Sequence, residues 1–205
     1  MLTNDQFAAM LSLGREQNGV EFKGAGPRTD KNLLVKVIRA SLGMSNRRDG
    51  GWVVVGVNEG ESGIDPAGLS DNDLLTWSYD AFGDNVAVYA DPGISFDLQT
   101  IVFNDKKFLA IRVTEFEEAP TICKKDYNAE GKIILREGAL YVRGRRKPET
   151  TEVRSLNDMR DLLELATEKA LRRFISRASA VGLSTIEADD VADENSFNEQ
   201  LGDLR

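Results

Sequence analysis

Three acids stand where their type and spacing could do chemistry: Glu16, Glu21 and Glu59. The first two lie in Glu16-Gln17-Asn18-Gly19-Val20-Glu21-Phe22-Lys23. The third closes Gly50-Gly51-Trp52-Val53-Val54-Val55-Gly56-Val57-Asn58-Glu59, a glycine turn feeding a buried strand. Three carboxylates brought to one point make a site for a hard divalent cation, and such a site suits phosphodiester cleavage. Each acid also has a plainer reading. Glu21 alternates with Val20 and Phe22, so it shares a strand face with Lys23, and the two can form an ordinary ion pair. Glu59 falls in Asn58-Glu59-Gly60-Glu61-Ser62-Gly63, a run of turn formers.

Other chemistries are closed to this chain. It contains no histidine, which excludes Ser-His-Asp and Cys-His hydrolases and His-ligated zinc or iron. Its one cysteine, Cys123, cannot form an internal disulfide or a thiolate zinc site. That usage fits a reducing cytoplasm, and a lone cysteine on an apolar strand is expected to be packing. Gly50-Gly51 has no Lys-Ser/Thr and no helix directly after it, so it fails the Walker pattern and ATP hydrolysis is disfavoured. No apolar run reaches the length of a membrane span, and Met1–Asp5 does not begin a signal peptide. Catalysis here is left to carboxylates, lysine, arginine, tyrosine or a metal held by oxygen.

The elements that must position these acids can be read from periodicity. A helix is expected over 4–14, capped by Asn4 or Asp5, then a strand over Val20–Lys23. Asp30 caps a helix over about 31–43, with Leu33, Leu34, Val37, Ile38 and Leu42 on one stripe. Trp52–Val57 reads as a central strand. A single helix is expected over 70–83, opened by Ser70 with Asp73 three residues on. Ile94–Phe103 and Lys107–Phe116 form a hairpin through Asn104-Asp105. Short strands follow at 121–124, 132–136 and 140–143. A long helix over about 156–180 carries an apolar stripe of Leu156, Met159, Leu163, Ala166, Ala170, Phe174 and Ala178, and ends before Gly182. The fold class expected is α+β: a single domain over 1–150 with a mixed β-sheet flanked by helices, a C-terminal helix over 151–184, and an acidic tail over 185–205 expected to be disordered.

The formal charge of -8 seems to speak against nucleic acid, but its distribution does not. Residues 185–205 hold seven acids and one base, so 1–184 carries 27 acids against 25 bases. A nearly neutral body can carry a basic face. The candidates for phosphate contact are Arg47 and Arg48 before the glycine pair, and the run Arg143-Gly144-Arg145-Arg146-Lys147. A guanidinium fork binds two phosphate oxygens at once.

Together these segments resemble the Schlafen-type AlbA-like domain over about 12–148. The resemblance rests on Glu16, Glu21, Phe22 and Lys23, then Asn46 and Gly50-Gly51, then Gly56-Val57-Asn58-Glu59, and the late Tyr141-Val142-Arg143-Gly144. Members that are ribonucleases use two glutamates of the first motif and one acid after the Gly-Val strand as a metal-dependent site. The resemblance therefore implies Glu16, Glu21 and Glu59 as ligands of Mg²⁺ or Mn²⁺, with Lys23 beside the phosphate. The substrate it implies is structured RNA such as a tRNA stem, or single-stranded nucleic acid, with RNA favoured over DNA. It further implies a homodimer and a cytoplasmic endoribonuclease of the phage-defence kind. The alternative within the family is a non-catalytic nucleic-acid-binding or partner-binding module. Two departures stand out: Glu59 where the family usually has aspartate, and the basic loop Met44–Asp49. The acidic tail, on this reading, could occupy the basic face as an internal mimic of nucleic acid.

Overall fold

The computed structural model describes residues 1–60, 63–129, 131–144 and 147–181. The acidic tail, Arg145 and Arg146 lie outside the described residues. In chain order the elements are α1 (Asn4–Ser12), β1 (Val20–Lys23), α2 (Lys31–Ser45), β2 (Gly51–Val55), β3 (Asn58–Gly60), β4 (Gly63–Asp65), α3 (Asp71–Leu75), α4 (Tyr79–Tyr89), β5 (Ala90–Asp91), β6 (Phe96–Phe103), β7 (Lys106–Val113), β8 (Ile122–Cys123), β9 (Tyr127–Ala129), β10 (Lys132–Leu135), β11 (Tyr141–Arg143), β12 (Thr150–Glu152) and α5 (Leu156–Ala180). The main sheet has the order β1-β2-β7-β6. Its β1–β2 pair is parallel and its other pairs are antiparallel, so the sheet is mixed as expected. Residues 1–166 form one compact unit and the remainder of α5 belongs to a second. Among the described residues no helix is long and apolar enough to cross a membrane.

The alternation of β1 and β2 sorts the core into two layers. Val20, Phe22 and Val54 point to one face, where Leu2 and Phe7 of the N-terminal segment cover them. Val53, Val55, Leu109 and Ile111 point to the other, against Leu34, Val37, Ile38 and Leu42 of α2 and Phe82 and Val86 of α4. Burying one such side chain stabilises the fold by about 1.5–3 kcal/mol. Glu21 and Lys23, out of phase with Val20 and Phe22, fall on the α2 face at the edge strand of the sheet.

The structure departs from the expected elements in three places. The N-cap of α1 is Thr3, whose hydroxyl accepts the Gln6 N–H while the Gln6 side chain accepts the Thr3 N–H, a reciprocal box that outcompetes Asn4 and Asp5. The helix expected over 70–83 is two helices. Ser70 caps α3, which ends at Thr76, and Ser78 caps α4 by accepting the Ala81 N–H. Trp77 between them turns inward and donates its indole N–H to the Gly26 carbonyl. The buried side chains of α5 in the first unit are Leu162 and Leu165, packed with Phe116, whereas Leu156 and Leu163 of the expected stripe are exposed. Cys123 is buried and its thiol pKa is raised by burial, in keeping with packing.

Candidate functional site

Because β1 and β2 run parallel with α2 between them, both end at the same edge of the sheet. Loops leaving such strand ends are where α/β sheets gather ligands. Lys23 ends β1, and its carbonyl accepts both the Gly56 and Val57 N–H groups, at 2.9 and 3.0 Å. This tight return needs glycine at 56, where φ is +111° and a Cβ would stand 3.1 Å from the Phe108 ring. The turn delivers Asn58 and Glu59 of β3 beside Lys23. Asn58 then fixes the outgoing loop by accepting the Ala25 N–H at 3.3 Å.

Glu21 is buried to 7% exposure and is held by three donors. Its Oε1 meets the Lys23 ammonium at 2.6 Å. Its Oε2 accepts from Arg143 Nη1 at 2.6 Å and from the Thr150 hydroxyl at 2.5 Å. Glu16 enters from the turn before β1. Its Oε1 accepts the Phe22 N–H at 2.8 Å and lies 4.0 Å from the Lys23 ammonium. Its Oε2 lies 3.5 Å from Arg143 Nη2. Burial and the neighbouring Glu21 push the Glu16 pKa from 4.5 up to about 7. Glu59 is exposed, yet its pKa is also raised, by burial of the carboxylate first and then by Glu21, against the pull of Lys23 and Arg143. The three acids therefore sit within electrostatic reach of one another, with Lys23 among them.

Arg143 was expected to present its charge to a phosphate, and the structure corrects that expectation. Its side chain is 2% exposed. Besides the two carboxylates, it donates to the carbonyls of Gln17, Asn18 and Val20 at 3.0, 3.3 and 3.1 Å, and to Thr150 Oγ1 at 3.4 Å. All of its N–H groups are engaged inside the protein, so it clamps the 16–21 segment. Its neighbour Tyr141 is buried as well, and Asn46 ties this strand down. The Asn46 amide donates to the Thr121 and Tyr141 carbonyls at 2.8 and 3.0 Å and accepts the Thr121 N–H at 2.8 Å.

The other predicted basic residues are placed elsewhere. Arg47 closes its own loop by donating to the carbonyls of Arg48 and Gly50. Arg47 and Arg48 line a cavity of about 280 Å³ with Asn18, Asp158 and Asp161, distinct from the acidic cleft. Lys147 is exposed. The cleft that holds Glu21, Lys23 and Glu59 has a volume of about 420 Å³, and its opposite wall is built by Lys36 and Arg39 of α2. Sequence reasoning missed both. They stand three residues apart, interrupting an otherwise apolar helix, and that interruption is the signal that could have found them.

The carboxylates of Glu21 and Glu59 and the amide of Asn58 offer the oxygen donors a hard cation takes, and they share the cleft lining with the cations Lys23, Lys36 and Arg39 and the Thr150 hydroxyl. Glu16 has only loose cationic neighbours, Arg143 at 3.5 Å and Lys23 at 4.0 Å, and burial raises its pKa to about 7, so a bound cation would favour its charged form. As placed, however, Glu21 gives both oxygens to Lys23, Arg143 and Thr150. Among the described residues no three acids are grouped tightly enough to hold an ion in this arrangement.

No curated protein matches the chain. Among solved structures, it is similar to the N-terminal domain of a Nitrosomonas europaea protein described as ATP-dependent DNA helicase RecG-related. The two are 18% identical with a TM-score of 0.45, and the match covers 65% of this chain and 86% of that one. A Corynebacterium diphtheriae protein matches at 18% identity and a TM-score of 0.39, over 63% of this chain and 26% of that one. The sequence model of the family described as Schlafen, AlbA_2 matches residues 16–143, more than half the chain and the whole span from Glu16 to Arg143. The chain belongs to the Schlafen, AlbA_2 family.

Proposed function

We propose that this domain binds nucleic acid and cuts its phosphodiester backbone in the Glu16–Glu21–Glu59 cleft, with Mg²⁺ or Mn²⁺ as the cofactor. The reading is supported foremost by the clustering of two glutamates and a lysine at the shared end of β1 and β2, with a third glutamate delivered by the Gly56 turn. Glu16, Glu21 and Glu59 would hold the ion, Glu21 through the oxygen now facing Lys23. The chemistry such an ion would supply is polarisation of the phosphate and activation of a water. Lys23, released from Glu21, would face the developing negative charge of the phosphoryl group. Structured RNA, such as a tRNA stem, is the substrate proposed ahead of single-stranded DNA, because its shape can be recognised without base-reading groups. The proposal extends to a homodimer acting in the cytoplasm.

One observation favours a second reading, a nucleic-acid-binding module without catalysis. Both oxygens of Glu21 are already neutralised within the protein. The two readings separate when total tRNA and single-stranded DNA are incubated with the protein in Mn²⁺ or EDTA, beside Glu21→Gln. Metal-dependent cleavage that disappears in the variant supports the nuclease. Binding without cleavage in any metal assigns the module.

A further inference from the structure

The α2 wall of the cleft carries two cations, Lys36 and Arg39. Lys36 is exposed, and neither it nor Arg39 has an acid partner among the described residues. The Arg39 guanidinium is laid over the Tyr141 ring, with its carbon 5.3 Å from the ring centroid. Its Nε is buried and has no hydrogen-bond partner in the described structure. A buried N–H left without an acceptor is costly to the fold, so such a group points to an acceptor supplied by a ligand. Arg39 is also held in one orientation by the ring beneath it, which lowers the ordering cost of binding.

The contrast with Lys23 is informative. Lys23 lines the same cleft but is matched at 2.6 Å by Glu21 and donates to the Phe22 carbonyl at 2.8 Å. The two α2 cations are therefore the ones left to meet an anion from outside. On the far side of the cleft stand Asn58 and Glu59, and Ile134 of β10 adds an apolar patch. The volume of about 420 Å³ is on the scale of one nucleotide of a bound strand.

We infer that Lys36 and Arg39 form a phosphate subsite on α2, which takes a backbone phosphate of a nucleic acid strand next to the phosphate presented to the carboxylates. This rests on the nucleic-acid reading of the cleft and deepens it. The pair grips a strand and sets its register against Glu16, Glu21 and Glu59. It does not act on the reacting atoms, so these are positioning residues. An Arg fork at 39 contacts two oxygens of one phosphate, and Lys36, one helical turn away, contacts the same or the adjoining group.

The test is equilibrium binding of a fluorescent single-stranded RNA 12-mer in EDTA, where nothing is cut, across a series of salt concentrations. The proteins are wild type, Lys36→Gln, Arg39→Gln, Arg39→Lys and, as a control outside the cleft, Lys124→Gln. Thermal melting accompanies each variant. The expected result is a loss of affinity of about tenfold or more for Lys36→Gln and Arg39→Gln, with the salt dependence of log K shallower by about one for each. Arg39→Lys recovers the salt slope but only part of the affinity, because the charge returns and the fork does not. Lys124→Gln matches wild type. Lys36 is exposed, so its variant reads out the subsite even if Arg39→Gln melts early. Wild-type affinity and slope in Lys36→Gln and Arg39→Gln, with the wild type binding RNA well, overturn the subsite and leave the nucleic-acid reading standing. A wild type that binds no RNA at the lowest salt overturns both.

Discussion

Two arginines beside Tyr141, one two residues along its strand and one laid over its ring, have opposite fates. Arg143, from β11, is sealed inside, with every N–H directed at a carboxylate, a carbonyl or a hydroxyl of its own chain. Arg39, from α2, lies flat on Tyr141 with an N–H that nothing accepts. A guanidinium that is fully engaged is part of the scaffold, however basic its sequence neighbourhood. One that is oriented but unmatched is available to a ligand. Position in a run of basic residues, the feature that drew notice to Arg143 in the sequence, says nothing about which of the two an arginine will be.

The sharpest way to break this comparison is to remove each guanidinium in turn. Arg143→Met should destabilise the fold by about 3–5 kcal/mol, because it breaks the buried ion pair with Glu21 and leaves the carbonyls of the 16–21 segment without their guanidinium donor. Arg39→Met should cost under about 2 kcal/mol, the range of a cation–π contact on a half-buried guanidinium. Chemical denaturation of both measures the difference, and equal costs would erase the distinction. Next in size is Thr150→Val, which removes the hydroxyl that donates to Glu21 at 2.5 Å. A hydrogen bond to a charged group is worth about 1.5–3 kcal/mol, and a denaturation midpoint unchanged by the substitution would show that Arg143 alone holds Glu21.

The smallest effect sharpens the electrostatics. The folded pKa of Glu16, about 7, lies above its ordinary 4.5, so the folded protein binds this proton more tightly than the unfolded chain does. The stability it contributes is complete below about pH 4.5 and is lost as pH rises towards 7. Glu16→Gln, neutral throughout, should therefore match wild type near pH 4 and exceed it at pH 8. Parallel stability curves for the two proteins would mean that Glu16 titrates normally.

Much of the scaffold was legible in the chain. Val20–Lys23 is a strand, Asp30 caps α2, and Asn104 and Asp105 adopt positive φ in the β6–β7 turn, because each of these is decided by local chemistry. The facing of Glu21 and Lys23 followed from alternation alone. The break at Trp77 was not legible, since it depends on an acceptor at Gly26, 51 residues away. Nor was the burial of Arg143, whose partners at 16–21 are set by tertiary packing. Pairings such as β3–β4, β9–β10 and β11–β12 involve strands of three or four residues, too short to show a period. Lys36 and Arg39 were passed over because the apolar stripe of α2 drew the reading to its buried side.

The clamp at Arg143 also has a consequence in time. Glu21 and Arg143 are 122 residues apart. A ribosome adding about 5–20 residues per second produces the acid on the order of ten seconds before its counter-ion. Until Arg143 emerges, burying Glu21 leaves its charge with only Lys23 to balance it, and the carbonyls of 17, 18 and 20 lack their donor. The cleft thus cannot be completed until Arg143 and Thr150 have been made, although its first acids are among the earliest residues of the chain.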